Sequence, residues 1–335
     1  MAHSFWEKLH KPIFVLAPMA NVTDAAFRRV IAKYGKPDVM WTEFVSADGL
    51  ALAPEEGRQK LLLDLKYSEA ERPIVAQFFT ANPEHMRKAA ELAASLGFDG
   101  VDINMGCPDR SVEKQGAGAN LMKEPAKARA LIRAAKEGAP GLPVSVKTRI
   151  GYNRPDLENW LPEILKEEPA VVIIHARTRK EMSKAPVRWE FVKRAVEIRN
   201  ELGSKTFIFG NGDVSNLEEA RKRVEETGCD GVMLGRAIFG KPWLFSRGER
   251  PELEERLGVL VEHTNLFDEL FGNKSAGGTF VKNFAIMKKH FKAYVNGFDG
   301  AAELRAKLME TENADEVEKI VNDFLERFVD ISRQL

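Results

Sequence analysis

The chain has 335 residues, 44% of them hydrophobic, and 50 Lys and Arg are balanced by 50 Asp and Glu. This composition excludes a disordered chain and suits one large domain with an appendage, or two ordinary domains. Zero net charge excludes a uniformly basic nucleic-acid binder but leaves room for a local basic face.

Two cysteines far apart offer neither a disulfide framework nor metal-ligand spacing. No apolar run approaches the roughly 20 residues that span a bilayer, and the opening MAHSFWEKLHKP has no signal-like apolar core. The expectation is a soluble, cytoplasmic protein, a monomer, with no membrane and no metal.

Eight short β-rich runs follow in order: IFVLAP from Ile13, VMWTEF from Val39, PIVAQFF from Pro73, GVDINM from Gly100, PVSVKTRI from Pro143, AVVIIHA from Ala170, TFIFGNG from Thr206 and GVMLGRA from Gly231. Near-continuous apolar character marks strands covered on both faces. Helical patterns fill the gaps. The clearest is capped by Asn82, begins at Pro83, places Met86, Ala89, Ala90, Ala93 and Leu96 on one face, and stops at Gly97. Eight such units predict a TIM (β/α)8 barrel, with a doubly wound open sheet as the competing α/β architecture. After KPWLFSRGERPE only helical patterns remain. A boundary near Gly248 to Pro251 therefore separates a catalytic barrel, residues 1–248, from a small C-terminal helical bundle, residues 249–335.

Barrel chemistry sits at the C-terminal strand ends. The runs deliver Pro18 and Met19, Gln77, Asn104 and Cys107, Lys147 and Arg149, His175 and Arg177, then Asn211, Gly212 and Asp213, and finally Gly235 and Arg236. GNGDV and LGRAIFG stand at ends seven and eight, the usual phosphate position of this fold, where glycines open the backbone to an anion and Arg236 adds charge. With a flavin mononucleotide as the ligand, Lys147 would stabilise negative charge near N1 of the reduced ring, while His175 and Gln77 would bond its polar edges. Cys229, in TGCDG, reads as a small buried hydrophobe. Cys107 differs: it follows a strand end, sits in a Gly-Cys-Pro turn and opens a polar loop, where a thiol can serve as acid or nucleophile.

These residues carry a resemblance. APMANVTDAAFR, VAQFF, DINMGCP, GAGANLMK, VKTRIGY, HARTR, GNGDV and GVMLGRAIFGKPWLF together resemble the tRNA-dihydrouridine synthase family, and MKKHFKAYVNGFDGAAELRAKLM resembles its helical tRNA-binding domain. The resemblance implies FMN at the barrel mouth, NADPH as reductant, and hydride transfer to C6 of a tRNA uracil with Cys107 protonating C5. It implies Pro18, Met19, Gln77, Lys147, His175, Asn211, Gly212, Asp213, Gly235 and Arg236 as the flavin shell. Asn104 and Arg149 would contact the extruded uracil, and Arg177 is read with them on the substrate side. Lys289, His290 and Arg305, among basic and aromatic residues of the tail, would grip RNA. Two positions depart from the family pattern: Asp109-Arg110 after the Gly-Cys-Pro, and Met182-Ser183 after HARTR, where a tyrosine often stands. The competing functions are a small-molecule ene-reductase or pyrimidine dehydrogenase on the same barrel, and a non-catalytic RNA-binding protein.

Overall fold

The computed structural model describes residues 5–246, 251–272 and 282–334, with side chains described to residue 327. Eight strands form one parallel sheet: β1 (Ile13–Leu16), β2 (Met40–Ser46), β3 (Ile74–Phe79), β4 (Gly100–Met105), β5 (Val144–Arg149), β6 (Val171–His175), β7 (Phe207–Asn211) and β8 (Gly231–Leu234). Their order is β1-β8-β7-β6-β5-β4-β3-β2. A parallel bridge between Val15 and Val39, with the Leu16 N–H on the Val39 carbonyl at 3.2 Å, joins the two ends. That closure decides for the TIM barrel over the open sheet.

The strands begin within a residue of the expected runs because their apolar character comes from burial on both faces. Inside the barrel, Ile13, Val15, Val39, Trp41, Val75, Val171, Ile173, Phe209 and Met233 pack as one cluster. Trp6, on a short 3-10 turn (Phe5–Lys8), packs into the same cluster, edge-on to Phe209 at 5.6 Å. Among the helices, Pro83–Ser95 starts as expected: Asn82 accepts from the N–H groups of Glu84 and His85. Met86, Ala89, Ala90 and Ala93 are buried, whereas Leu96, expected on that face, is 41% exposed.

The chain forms two compact units. Residues 1–20 and 37–237 make the first, and residues 21–36 with 238–335 make the second. The expected boundary at Gly248 to Pro251 falls, except for Pro251, outside the described residues. The second unit contains the helix Ala25–Tyr34, capped by Asp24, together with the helices Leu253–Phe271, Lys288–Tyr294, Ala301–Leu308 and Ala314–Gln334. No described helix is long and apolar enough to cross a membrane.

Candidate active site

The C-terminal ends of β1, β5, β6, β7 and β8 surround a pocket of about 190 Å³. Pro18, Met19, Lys147, His175, Asn211, Gly212, Asp213, Gly235 and Arg236 all line it, as does Arg177. Gln77 does not. Its side chain is fully buried, donating to Asp102 at 2.6 Å and accepting from Asn104 at 3.2 Å.

The pocket is cationic. Lys147, Arg177 and Arg236 face a single acidic lining residue among those described, Asp213. Both arginines donate to the Asp213 carboxylate, and Arg177 also donates to the Ala185 carbonyl at 2.6 Å. The Arg177 guanidinium, and then Arg236, hold the Asp213 carboxyl below the usual range. Burial and the neighbouring Arg149 push Lys147 down to about 8, while its Nζ donates to Asn211 Oδ1 at 3.3 Å. His175 is pushed well below its ordinary value, first by burial and then by the surrounding cations, so its imidazole is neutral at physiological pH. Asp213 (φ 46°) and Gly212 (φ 138°) turn the chain sharply after β7.

Cys107 lies at the end of β4, where Asn104 pairs in register with Lys147 of β5. The thiol is half-buried against an apolar patch of Phe79, Val112 and Ala117, and burial raises its pKa. Its main chain is held on both sides: the N–H donates to Asn104 Oδ1 at 2.9 Å, and the carbonyl accepts from Ala119 N–H at 2.9 Å. Gly118 (φ 60°) makes this return possible, since a Cβ there would stand 2.8 Å from the Cys107 carbonyl. Asp109, one of the departures, caps the short helix Arg110–Lys114 by accepting from Ser111 N–H at 2.7 Å.

Arg149 is buried, and its guanidinium bonds three main-chain carbonyls, those of Gly106, Thr178 and Met182. Glu113 pairs with Arg179, whose guanidinium lies 5.3 Å from the Tyr152 ring; Lys123 covers the same ring at 3.7 Å. The sequence reading missed this second tie on the cysteine loop. No local pattern links residues 113 and 179.

In the second unit, Lys289 and Lys292 are exposed, while Arg305 is half-buried and donates to the Val295 carbonyl at 2.7 Å. His290 is fully buried, 4.7 Å from Phe27 and 4.6 Å from His263. It is a core residue, so the expected direct RNA contact is withdrawn for its ring; Phe291 and Tyr294 of the same helix are also fully buried. The spacing Met287, His290, Phe291, Tyr294 is the apolar face of a helix, a signal present in the sequence.

A closed parallel barrel whose strand ends gather cations, a buried imidazole and a half-buried thiol is an enzyme architecture with a cationic mouth. Residues 15–329 match the model of the family described as Dihydrouridine synthase (Dus), and the chain belongs to that family. It is similar to the probable tRNA-dihydrouridine synthase 2 of Bacillus subtilis (strain 168), at 40% identity covering 98% of this chain and 99% of that one. It is also similar to the probable tRNA-dihydrouridine synthase of Staphylococcus aureus (strain COL), at 38% identity covering 97% and 96%. Among solved structures, histamine dehydrogenase from Rhizobium sp. 4-9 shares the fold, with a TM-score of 0.53 at 13% identity over 76% of this chain and 48% of that one.

Proposed function

We propose that this chain reduces the C5–C6 bond of uridine in tRNA, using FMN and NADPH, with Cys107 as the acid. The observation that carries the reading is a half-buried free thiol held at the end of β4, beside the strand that brings Lys147 to the cationic pocket; burial raises its pKa and so favours the protonated form.

The pocket's chemistry suits FMN. The left-handed turn at Gly212 and Asp213, with Gly235 and Arg236 at the next strand end, fits a phosphate. A Cβ at position 212 would lie 2.6 Å from Val187 Cγ1, so only glycine leaves that wall open. Lys147, Asn211 and neutral His175 would face the polar edge of the ring. When bound, the reduced flavin supplies the hydride received by C6 of the uracil.

The chain's own residues do the rest. Hydride at C6 leaves the substrate as an enolate conjugated to the C4 carbonyl. Cys107 Sγ gives its proton to C5, and the resulting thiolate is reprotonated from solvent. Asn104 would orient the base, and Arg149 would reach it with Nη2, since its Nε and Nη1 are engaged by carbonyls. A base stacked within folded RNA must be extruded to reach this depth. Exposed Lys289 and Lys292, with Arg305 at the edge, would hold RNA phosphates in a salt-dependent way. A cytoplasmic, monomeric enzyme is the simplest form of this reading.

The test is a turnover assay with FMN, NADPH and unmodified tRNA transcripts, digested and examined by mass spectrometry. Uridine heavier by two hydrogens, formed by the parent protein and not by Cys107→Ala, is the expected result. Bound flavin reducible by NADPH, with no modified uridine on transcripts or on native tRNA lacking dihydrouridine, would overturn it in favour of a small-molecule substrate.

A further inference from the structure

Strand β4 carries one charged residue among buried neighbours. Asp102 is fully buried, with Val101 and Ile103 on either side, both also fully buried. It stands in register between Gln77 of β3 and Ser145 of β5. Ser145 Oγ donates to Asp102 Oδ1 at 2.5 Å, and Gln77 Nε2 donates to Oδ2 at 2.6 Å. Gln77 Oε1 accepts from Asn104 Nδ2 at 3.2 Å. Asn104 Oδ1 accepts the main-chain N–H of Gly106 at 3.2 Å and of Cys107 at 2.9 Å.

This chain of bonds has a direction. An ionised carboxylate only accepts, so Gln77 must turn its NH₂ group toward Asp102 and its carbonyl toward Asn104. Asn104 must then present NH₂ to Gln77, which leaves its carbonyl for the N–H groups of Gly106 and Cys107. Flipping either amide sets donor against donor or acceptor against carboxylate, at a buried site where unpaired polar groups are costly. One carboxylate thus selects the orientation of two amides and, through them, the anchor of the cysteine turn.

We propose that Asp102 is a positioning residue for Cys107, acting through Gln77 and Asn104 to fix where the thiol stands. Its bearing on catalysis rests on the reading of Cys107 as the acid. The positioning itself does not. Burial raises the Asp102 pKa to about 6, which leaves it mostly ionised at neutral pH.

The test is alkylation by iodoacetamide of the purified protein, read residue by residue by mass spectrometry. It needs neither flavin nor RNA. Cys229, buried near the start of β8 in the same unit, is the internal control. Asp102→Ala cuts the chain at its root, and Gln77→Met cuts it in the middle while leaving Asp102 bonded to Ser145. Each is expected to speed Cys107 labelling roughly fivefold or more, as one lost anchoring bond would allow, with Cys229 unchanged. Asp102→Asn is expected to stay near the parent rate. Its one carbonyl oxygen, placed where Asp102 Oδ2 stands, still accepts from Gln77, and its NH₂ group, placed where Oδ1 stands, donates to Ser145, whose hydroxyl already lies 3.4 Å from the Val101 carbonyl.

Unchanged Cys107 labelling in both Asp102→Ala and Gln77→Met would overturn the proposal. So would an equal rise at Cys229, which means general loosening, or an Asp102→Asn rate as fast as that of Asp102→Ala. The expected labelling pattern in a protein that forms no dihydrouridine would keep the positioning and remove only the acid role of Cys107.

Discussion

Arg149 Nε donates to the carbonyl of Gly106 at 2.8 Å, immediately before Cys107. Its Nη1 reaches across to the carbonyls of Thr178 at 3.1 Å and Met182 at 2.9 Å, so one guanidinium ties the β4 loop to the β6 loop. Lysine carries the same charge but not the fork that serves three carbonyls from one head group. Arg149→Lys is therefore expected to lower stability by about 1–3 kcal/mol, the usual cost of leaving buried carbonyls unpaired. Dihydrouridine formation should fall at least tenfold while NADPH still reduces the flavin. Thermal denaturation and separate half-reaction kinetics check this; loss of flavin reduction in parallel would argue for a collapsed barrel instead.

Burial, the largest influence on Cys107, holds its thiol above the ordinary cysteine value, and the Asp109 charge acts in the same direction. The acid role proposed for Cys107 requires the proton, so ionisation of this thiol should leave the uridine-reducing step untouched from pH 6 to 8 and lower it only on the alkaline side. Cys107→Ala should slow that step by about 100-fold or more, the range for loss of a general acid. Single-turnover rates with pre-reduced protein across pH give the answer. A rate that rises with pH through the alkaline range would assign Cys107 a thiolate role.

The barrel was legible because its strands are buried on both faces, so each reads as an apolar run whatever its partners. The pocket was legible for a related reason: residues 18, 19, 147, 175, 211 to 213, 235 and 236 all lie at or near the C-terminal ends of such runs. What escaped depends on partners distant in sequence. Asp102 is visible as a charge inside GVDINM, but its bonds to Gln77 and Ser145 follow from strand order and register. The Glu113–Arg179 pair joins two loops that only the closed barrel brings together. His290 was misread because its neighbours Lys288, Lys289 and Lys292 suggested a basic surface. The buried face of that helix is set by what it packs against, here Phe27, Phe239 and His263.

Gly212 is required both by its backbone and by its surroundings. Its φ of 138° is one that side-chain-bearing residues rarely adopt, and a Cβ would meet Val187 Cγ1 at 2.6 Å. Gly212→Ala should cost about 1–3 kcal/mol in backbone strain alone. It should also weaken binding of FMN more than that of riboflavin, which lacks the phosphate proposed to sit at this turn. Differential scanning and flavin fluorescence titration test the two effects separately. Equal weakening for both flavins would move the phosphate away from Gly212.

The second unit buries two histidines, His263 and His290, whose ring nitrogens have no hydrogen-bond partner among the described residues, their centroids 4.6 Å apart. Burial pushes His263 well below its ordinary value and His290 down to about 3. Both are neutral in the folded state and near 6.5 in the unfolded chain. As pH falls through 6.5 the unfolded chain takes up protons that the folded unit refuses, so stability present above that pH is lost on acidification. At pH 5.5 the two together should cost about 3 kcal/mol relative to pH 7.5, at 1.36 kcal/mol per pKa unit each. Phenylalanine keeps an aromatic ring at both places, beside Phe27, which already stacks on His263 at 4.8 Å. The double variant His263→Phe, His290→Phe should therefore lose most of this acid sensitivity while folding at neutral pH. Urea denaturation of parent and variant at the two pH values decides it. An equal loss of stability in both proteins would show that these histidines do not set the acid limit of the fold.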